Sequence, residues 1–188
     1  MITGRADAIP GLATAFRLHG YEGASLAAIT RHTGLGKGSL YNFFPGGKEE
    51  MANAVLDEVG LWFETHVYRS LQNQDVPAAE RLTSMAGAVE EYFSSRHLVC
   101  LYGSFALGQE RERFAQQIAG YFTAWIQAIT EALPGPAQEA EALATDFVAT
   151  VQGALILARA LDDPPVLHST VARSLRHLTS LAGPDKAR

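Results

Sequence analysis

Apolar side chains recur three and four positions apart along this chain, and no stretch alternates apolar with polar in the period-two manner of a strand. Leu12, Ala13 and Phe16 share one face of residues 10–19. Pro10 suits a first helical turn, where its missing N–H costs little, and Gly20 reads as a stop. Ser25 is a good N-cap for a short helix through Thr33 that buries Leu26 and Ile29. Gly34-Leu35-Gly36 reads as a tight turn, residues 37–44 as a second short helix, and Pro45-Gly46-Gly47 as its end. A longer helix follows over residues 48–68, with Met51, Val55, Leu56, Val59, Trp62 and Phe63 on a broad apolar face. Asp75 is expected to cap the next, which has Pro77 in its first turn and Leu82, Met85, Val89, Tyr92 and Phe93 inside. Residues 101–107, 111–133, 137–161 and 166–182 complete an all-α pattern of about nine helices.

Composition sets the class. A chain of 188 residues buries about two thirds of its unfolded surface, enough for a real core. Its 47% hydrophobic and 19% charged content are those of an ordinary soluble globular protein, as one domain or a small module plus a larger one. Arg5, Asp7, Pro10 and Arg17 leave no uncharged run for a secretory signal. No run approaches about 18 consecutive apolar residues, so no membrane partner is expected. The single cysteine, Cys100, excludes an internal disulfide framework and fits a reducing cytoplasm. Residues 1–50 hold five basic and four acidic side chains, a net of +1, so the total of −5 leaves −6 for residues 51–188. An acidic body with a slightly basic N-terminal module allows nucleic-acid binding at one end.

The stretch TGLGKGSLYNFFPGGKEE, residues 33–50, packs five glycines, two lysines and three rings together and resembles a phosphate loop. A dinucleotide-binding G-x-G-x-x-G must follow a strand, and here Ser39 stands at the third glycine and a helix precedes. A Walker loop fails because Glu49 follows Gly47-Lys48 and Asn42 holds the first glycine position. Two short helices joined by a glycine turn are instead the mark of a helix-turn-helix. At 100° per residue, Leu40 and Phe44 face the first helix of the pair. The opposite side carries Gly38, Ser39 and Asn42, flanked by Lys37, Tyr41 and Phe43. A small, polar face of this kind suits a major groove. The bland alternative is an exposed helix of a small bundle.

Gly20-Tyr21, Ser25, Ile29, the run Thr33 to Phe44 and Lys48-Glu49 resemble the N-terminal module of the tetracycline-repressor-like (TetR) family of bacterial regulators, over roughly residues 9–60. The rest of the chain is similar only in helix count and length. The resemblance implies a homodimeric, all-helical, ligand-responsive repressor, with residues 1–48 as DNA-binding domain and 49–188 as ligand-binding and dimerisation domain. It implies that Ser25 caps the second helix and touches a phosphate, and that Lys37, Gly38 and Ser39 open the recognition helix over the bases. Tyr41 would give its hydroxyl to a phosphate, and Lys48 would meet another at a helix N-terminus. Gly36 stands where the family often has a serine or threonine cap, and Ala27 cannot hydrogen-bond a base. A palindromic operator in double-stranded DNA and a small-molecule inducer are the implied partners, with no enzyme activity, cofactor or metal. A helical binding protein or enzyme with a degenerate motif is the different-class alternative, which Gly36, Ala27 and the acidic balance favour.

The body is rich in rings. Most such rings are core, but an apolar cavity with a few polar tips is also compatible. Candidate ligand contacts are Trp62, Phe63, His66, Tyr92, His97, Cys100, Phe105, Tyr121, Phe122 and Trp125. His97-x-x-Cys100 lacks the further ligands of a metal site and the orienting group of a thiol enzyme. It could be an electrophile sensor, if residues 97–100 are helical, or a buried apolar cysteine. Small residues among large ones in residues 141–161, and an apolar stripe on the last helix, could cover the chain's own core or pair with a second chain. Phe147, Val151, Leu155, Ala158, Val171, Leu175 and Leu178 are the candidate dimer contacts.

Overall fold

The computed structural model describes residues 4–182. Among them are nine helices and no strand. They are α1 (Arg5–Gly23), α2 (Leu26–Thr33), α3 (Lys37–Phe43) and then α4, residues 47–72, which is α-helical over Gly47–Phe63, π-helical over Glu64–Tyr68 and α-helical again over Arg69–Gln72. There follow α5 (Ala78–Ser94), α6 (Leu101–Leu107), a 3-10 turn (Gln109–Glu112), α7 (Ala115–Ala132), α8 (Ala137–Ala160) and α9 (Pro165–Ala182).

Several boundaries shift from the sequence pattern, each for a local reason. α1 starts earlier, at Arg5, and the Asp7 carboxylate accepts from the Gly4 N–H at its start. Gly20 breaks the regular backbone near its end, at φ +67°. Asp75 does not cap α5; Pro77 occupies that place, and the N–H of Asp75 is taken by the side chain of Asn73. Residues 109–112 form a separate 3-10 turn rather than the first turn of the long helix. Residues 95–100 are not helical: His97 and Leu98 adopt left-handed backbone, at φ +59° and +55°.

The chain condenses into two units. The first comprises the residues up to Leu61 together with Cys100–Ile118. The second comprises Trp62–Val99 and the chain from Ala119 on. The first unit runs past residue 48, the boundary expected between the DNA-binding and ligand-binding parts.

The first unit is built on α1. Leu12, Ala15 and Phe16 are buried, and α2 and α6 pack on this helix. Phe16, Tyr21, Phe105 and Phe114 interlock as one ring cluster, with centroids 5.2–6.1 Å apart. Gly11 lets α1 approach α2: a Cβ there would lie 2.6 Å from the carbonyl oxygen of His32 and 2.8 Å from the Cα of Thr33. In the second unit α9 packs on α8 and α5, burying Leu82, Met85 and Val89 with Phe147, Val151 and Val171. By length and composition α8 could cross a bilayer, but its inward stripe makes it a core helix of this unit.

Gly11→Ala therefore places a methyl group against backbone that cannot yield, and urea unfolding should show a loss of roughly 1–3 kcal/mol. Gly38→Ala, with nothing within 4 Å of the new Cβ, should instead add roughly 0.5–1 kcal/mol through helix propensity.

Candidate nucleic-acid interface

Local chemistry fixes the α2–turn–α3 segment. The Ser25 hydroxyl oxygen accepts from the N–H of Ala28 at 3.2 Å, capping α2 as its sequence position requires. Thr33, buried at the other end, donates to the carbonyl of Ile29 at 2.8 Å and accepts from the N–H of Leu35 at 3.2 Å. Gly34 closes α2 at φ +69°, a left-handed conformation that only glycine adopts without strain. Leu40 and Phe44 are fully buried, while Lys37, Gly38, Ser39, Tyr41 and Asn42 are exposed and Phe43 is half-buried. This is the outward face expected from the sequence.

The support behind α3 contains residues that the motif did not reveal. Arg5 donates to the carbonyl of Phe43 at 3.2 Å, pairs with Glu50 and lies 4.7 Å above the Phe44 ring. It thus places a cation at the C-terminal end of α3, where the helix dipole favours one. Glu50 also accepts from the N–H of Gly46 at 2.8 Å, and that bond, with the Arg5 guanidinium, holds its carboxyl below the usual carboxylate range. Arg113 pairs with Glu49, Gln117 donates to Asp57 at 3.1 Å, and the Tyr102 hydroxyl donates to the carbonyl of Leu56 at 2.8 Å. Residues 100–118 are thereby tied to α4. Apart from the local Gly46–Glu50 bond, these pairs lie 38 to 64 positions apart, beyond any local sequence signal.

Lys48 is engaged within the chain. Its ammonium donates to the carbonyl of Tyr21 at 3.0 Å, sits 3.4 Å from that of Glu22, and lies 4.5 Å above the Tyr21 ring. It closes the last turn of α1 against the start of α4.

The ligand candidates fall into separate groups. Trp62, Phe63, Tyr92, Tyr121 and Trp125 meet in the second unit, with Phe63 at the centre, 5.0–5.5 Å from each of the other four. Phe122 stands against Tyr121, and His66 stacks on Trp62 at 4.5 Å. The Trp125 side chain is fully buried, and its indole N–H has no acceptor among the described residues; the Gln152 amide nitrogen is in the same state. Phe105 is core of the first unit, packed on Phe16, Tyr21 and Phe114. Cys100 caps α6, its buried sulfur accepting from the N–H of Gly103 at 3.4 Å, and His97 is exposed in the turn before it. The one-turn helical spacing of His97 and Cys100 that an electrophile sensor would use is absent.

The dimer candidates Phe147, Val151, Leu155, Ala158, Val171 and Leu178 are all buried within their own chain, and Leu175 is half-buried. The same apolar periodicity serves the chain's own core. Outward on α8 are Ile156 and Leu157, 60% and 52% exposed.

A capped support helix, a left-handed glycine turn and a short helix with its polar face outward form the DNA-binding module of a transcriptional regulator. The model for bacterial regulatory proteins of the tetR family matches residues 12–55, and that for the LmrA/YxaF-like transcriptional regulator C-terminal domain matches residues 78–173. The chain belongs to the TetR family, whose members regulate transcription by binding DNA and are not enzymes. An HTH-type transcriptional regulator of Mycobacterium tuberculosis is 26% identical over 98% of both chains. YxaF of Bacillus subtilis is 39% identical over 33% of this chain, a match that spans only 32% of YxaF. In fold the chain is similar to a TetR regulator from Legionella pneumophila, with TM-score 0.78 at 21% identity over 94% of this chain and 98% of that one.

The pH response of Glu50 follows from its lowered pKa. Stability gained from the ionised carboxylate is complete above the unfolded value, about 4.3, and is lost as pH falls through the lower folded value. The difference in urea midpoint between the parent and Glu50→Gln should be constant above about pH 5 and shrink on acidification.

Proposed function

We propose that this regulator is a repressor that binds a palindromic operator as a homodimer in the cytoplasm and leaves it when a small apolar molecule binds. The observation that carries the DNA half is the outward face of α3. Gly38 permits close approach to the groove, and Ser39 and Asn42 are the side chains able to reach base edges. Lys37, Tyr41 and the Ser25 hydroxyl are suited to phosphates, with Phe43 as an apolar flank. Lys48 acts by holding α1 to α4, and the backbone N–H groups at the start of α4 are the better phosphate donors there.

The ligand half rests on the buried indole N–H of Trp125, a donor that an oxygen on a bound apolar molecule would satisfy. The contact set narrows to Trp62, Phe63, His66, Tyr92, Tyr121, Phe122 and Trp125. His66 lies in the π-helical turn of α4, a form often found at functional sites, and Trp62 lies just before it. A ligand that favours one conformation of this turn would act along the helix that begins beside α3. Coupling of the usual size lowers operator affinity roughly 5- to 150-fold at saturation. Pairing of chains would use the outer faces of α8 and α9, around Ile156 and Leu157.

Tyr41→Phe should weaken binding evenly across DNA sequences, whereas Asn42→Ala should alter preference at one base pair by about 1–3 kcal/mol. Gly38→Ala should weaken binding although it stabilises the fold. Affinity measured over a salt series on the DNA upstream of its own gene checks these outcomes; loss of all sequence preference in the parent protein contradicts the reading.

In sedimentation at micromolar concentration the parent chain should be a dimer and Ile156→Arg a folded monomer. A monomeric parent removes the palindrome from the proposal.

A further inference from the structure

We propose that His19 and His32 form a binding site for a late first-row divalent metal ion, with Cu2+ and Ni2+ preferred, that clasps α1 to α2. The pair lies on the first unit and plays no part in the DNA or ligand readings. The two Nε2 atoms are 3.3 Å apart, while the ring centres are 5.4 Å apart, so both nitrogens point into the gap between the rings. As a hydrogen bond that separation is long, beyond the roughly 2.7–3.2 Å range of N–H···O bonds. Two imidazole nitrogens on neighbouring positions of one ion, with metal–nitrogen bonds of about 2.0–2.1 Å, stand roughly 2.9 Å apart at the right angle of a tetragonal site and roughly 3.3–3.4 Å apart at a tetrahedral angle, so this pair reaches either by small side-chain rotations.

The backbone beneath the pair is set before any ion arrives. Gly11 brings α1 against the carbonyl of His32, and the Thr33 hydroxyl fastens the last turn of α2 beside it. Neither imidazole is buried: His19 is exposed and His32 half-exposed, so an ion can enter from solvent. Nε2 as the ligand atom leaves the ring proton on Nδ1.

Among the described residues no third histidine, cysteine or carboxylate completes a cluster. The remaining positions therefore fall to water. That disfavours structural zinc, which takes four protein ligands, and favours ions that hold two imidazoles and waters stably, copper above nickel in the general affinity order. The ion would bind the folded arrangement of two separate helices and so stabilise the module.

The test uses the full-length chain without an affinity tag. Titration calorimetry with Cu2+ and with Ni2+ should give one strong site per chain, and electron paramagnetic resonance of the copper form should show two coordinated nitrogens. His19→Ala and His32→Ala should each weaken binding at least tenfold, and His177→Ala, on exposed α9 surface, should leave it unchanged. The ion should raise the thermal midpoint of the parent by several degrees, and that of neither site variant. Absence of binding by the parent at tens of micromolar ion overturns the proposal. So does a copper spectrum without two nitrogens, or unchanged affinity in a folded His19→Ala chain.

Discussion

A helix of seven residues cannot hold its shape in water, yet α3 must do so with most of its surface exposed. Only Leu40 within it is buried, so its stability comes almost wholly from what stands behind it. That constraint accounts for the architecture of the first unit. Thr33 and Gly34 fix the turn that leads into α3, Phe44 anchors its end, and Arg5 closes its last carbonyl, that of Phe43, while reaching Glu50 on α4. α1 comes close to α2 only because residue 11 has no side chain. The outward face is left free of structural duties, and the side chains best suited to reading DNA are those the fold does not need.

The two ring clusters divide the remaining work. Phe16, Tyr21, Phe105 and Phe114 join residues 100–118 to the N-terminal helices as core of one unit. Phe63 and its neighbours form the core of the other. The Tyr102 hydroxyl, in the first unit, has a carbonyl partner, whereas the indole N–H of Trp125, in the second, has none among the described residues. A buried donor left in that state costs stability, which is why it is the feature on which a ligand proposal can rest.

Much of this was legible in the sequence. Helical periodicity gave the all-α class and the helix count, and the glycine spacing with Leu40 and Phe44 gave the orientation of α3. Ser25 and Gly34 were readable because capping and left-handed turns depend on the residue itself. The long-range ties were not readable, because Arg5–Glu50 and Arg113–Glu49 leave no mark at helical spacing. The ties of Lys48 leave no such mark either: its place at the start of α4 suggests a phosphate contact, while the partners it has within the chain are the carbonyls of Tyr21 and Glu22 at the end of α1. The apolar periodicity of α8 and α9 could not distinguish their own core from a second chain. Phe105 and Trp62 fall in the same ring-rich part of the chain but in different units, because helical periodicity marks a ring as buried without showing which core it enters.

The central claim is that the outward face of α3 reads DNA. Selection of duplexes from a random library by the full-length chain tests it directly. The account predicts enrichment of an inverted repeat, and a different enriched sequence when Ser39 and Asn42 are both replaced by alanine. Failure to enrich any sequence, or enrichment of the same sequence by the doubly substituted chain, would contradict it.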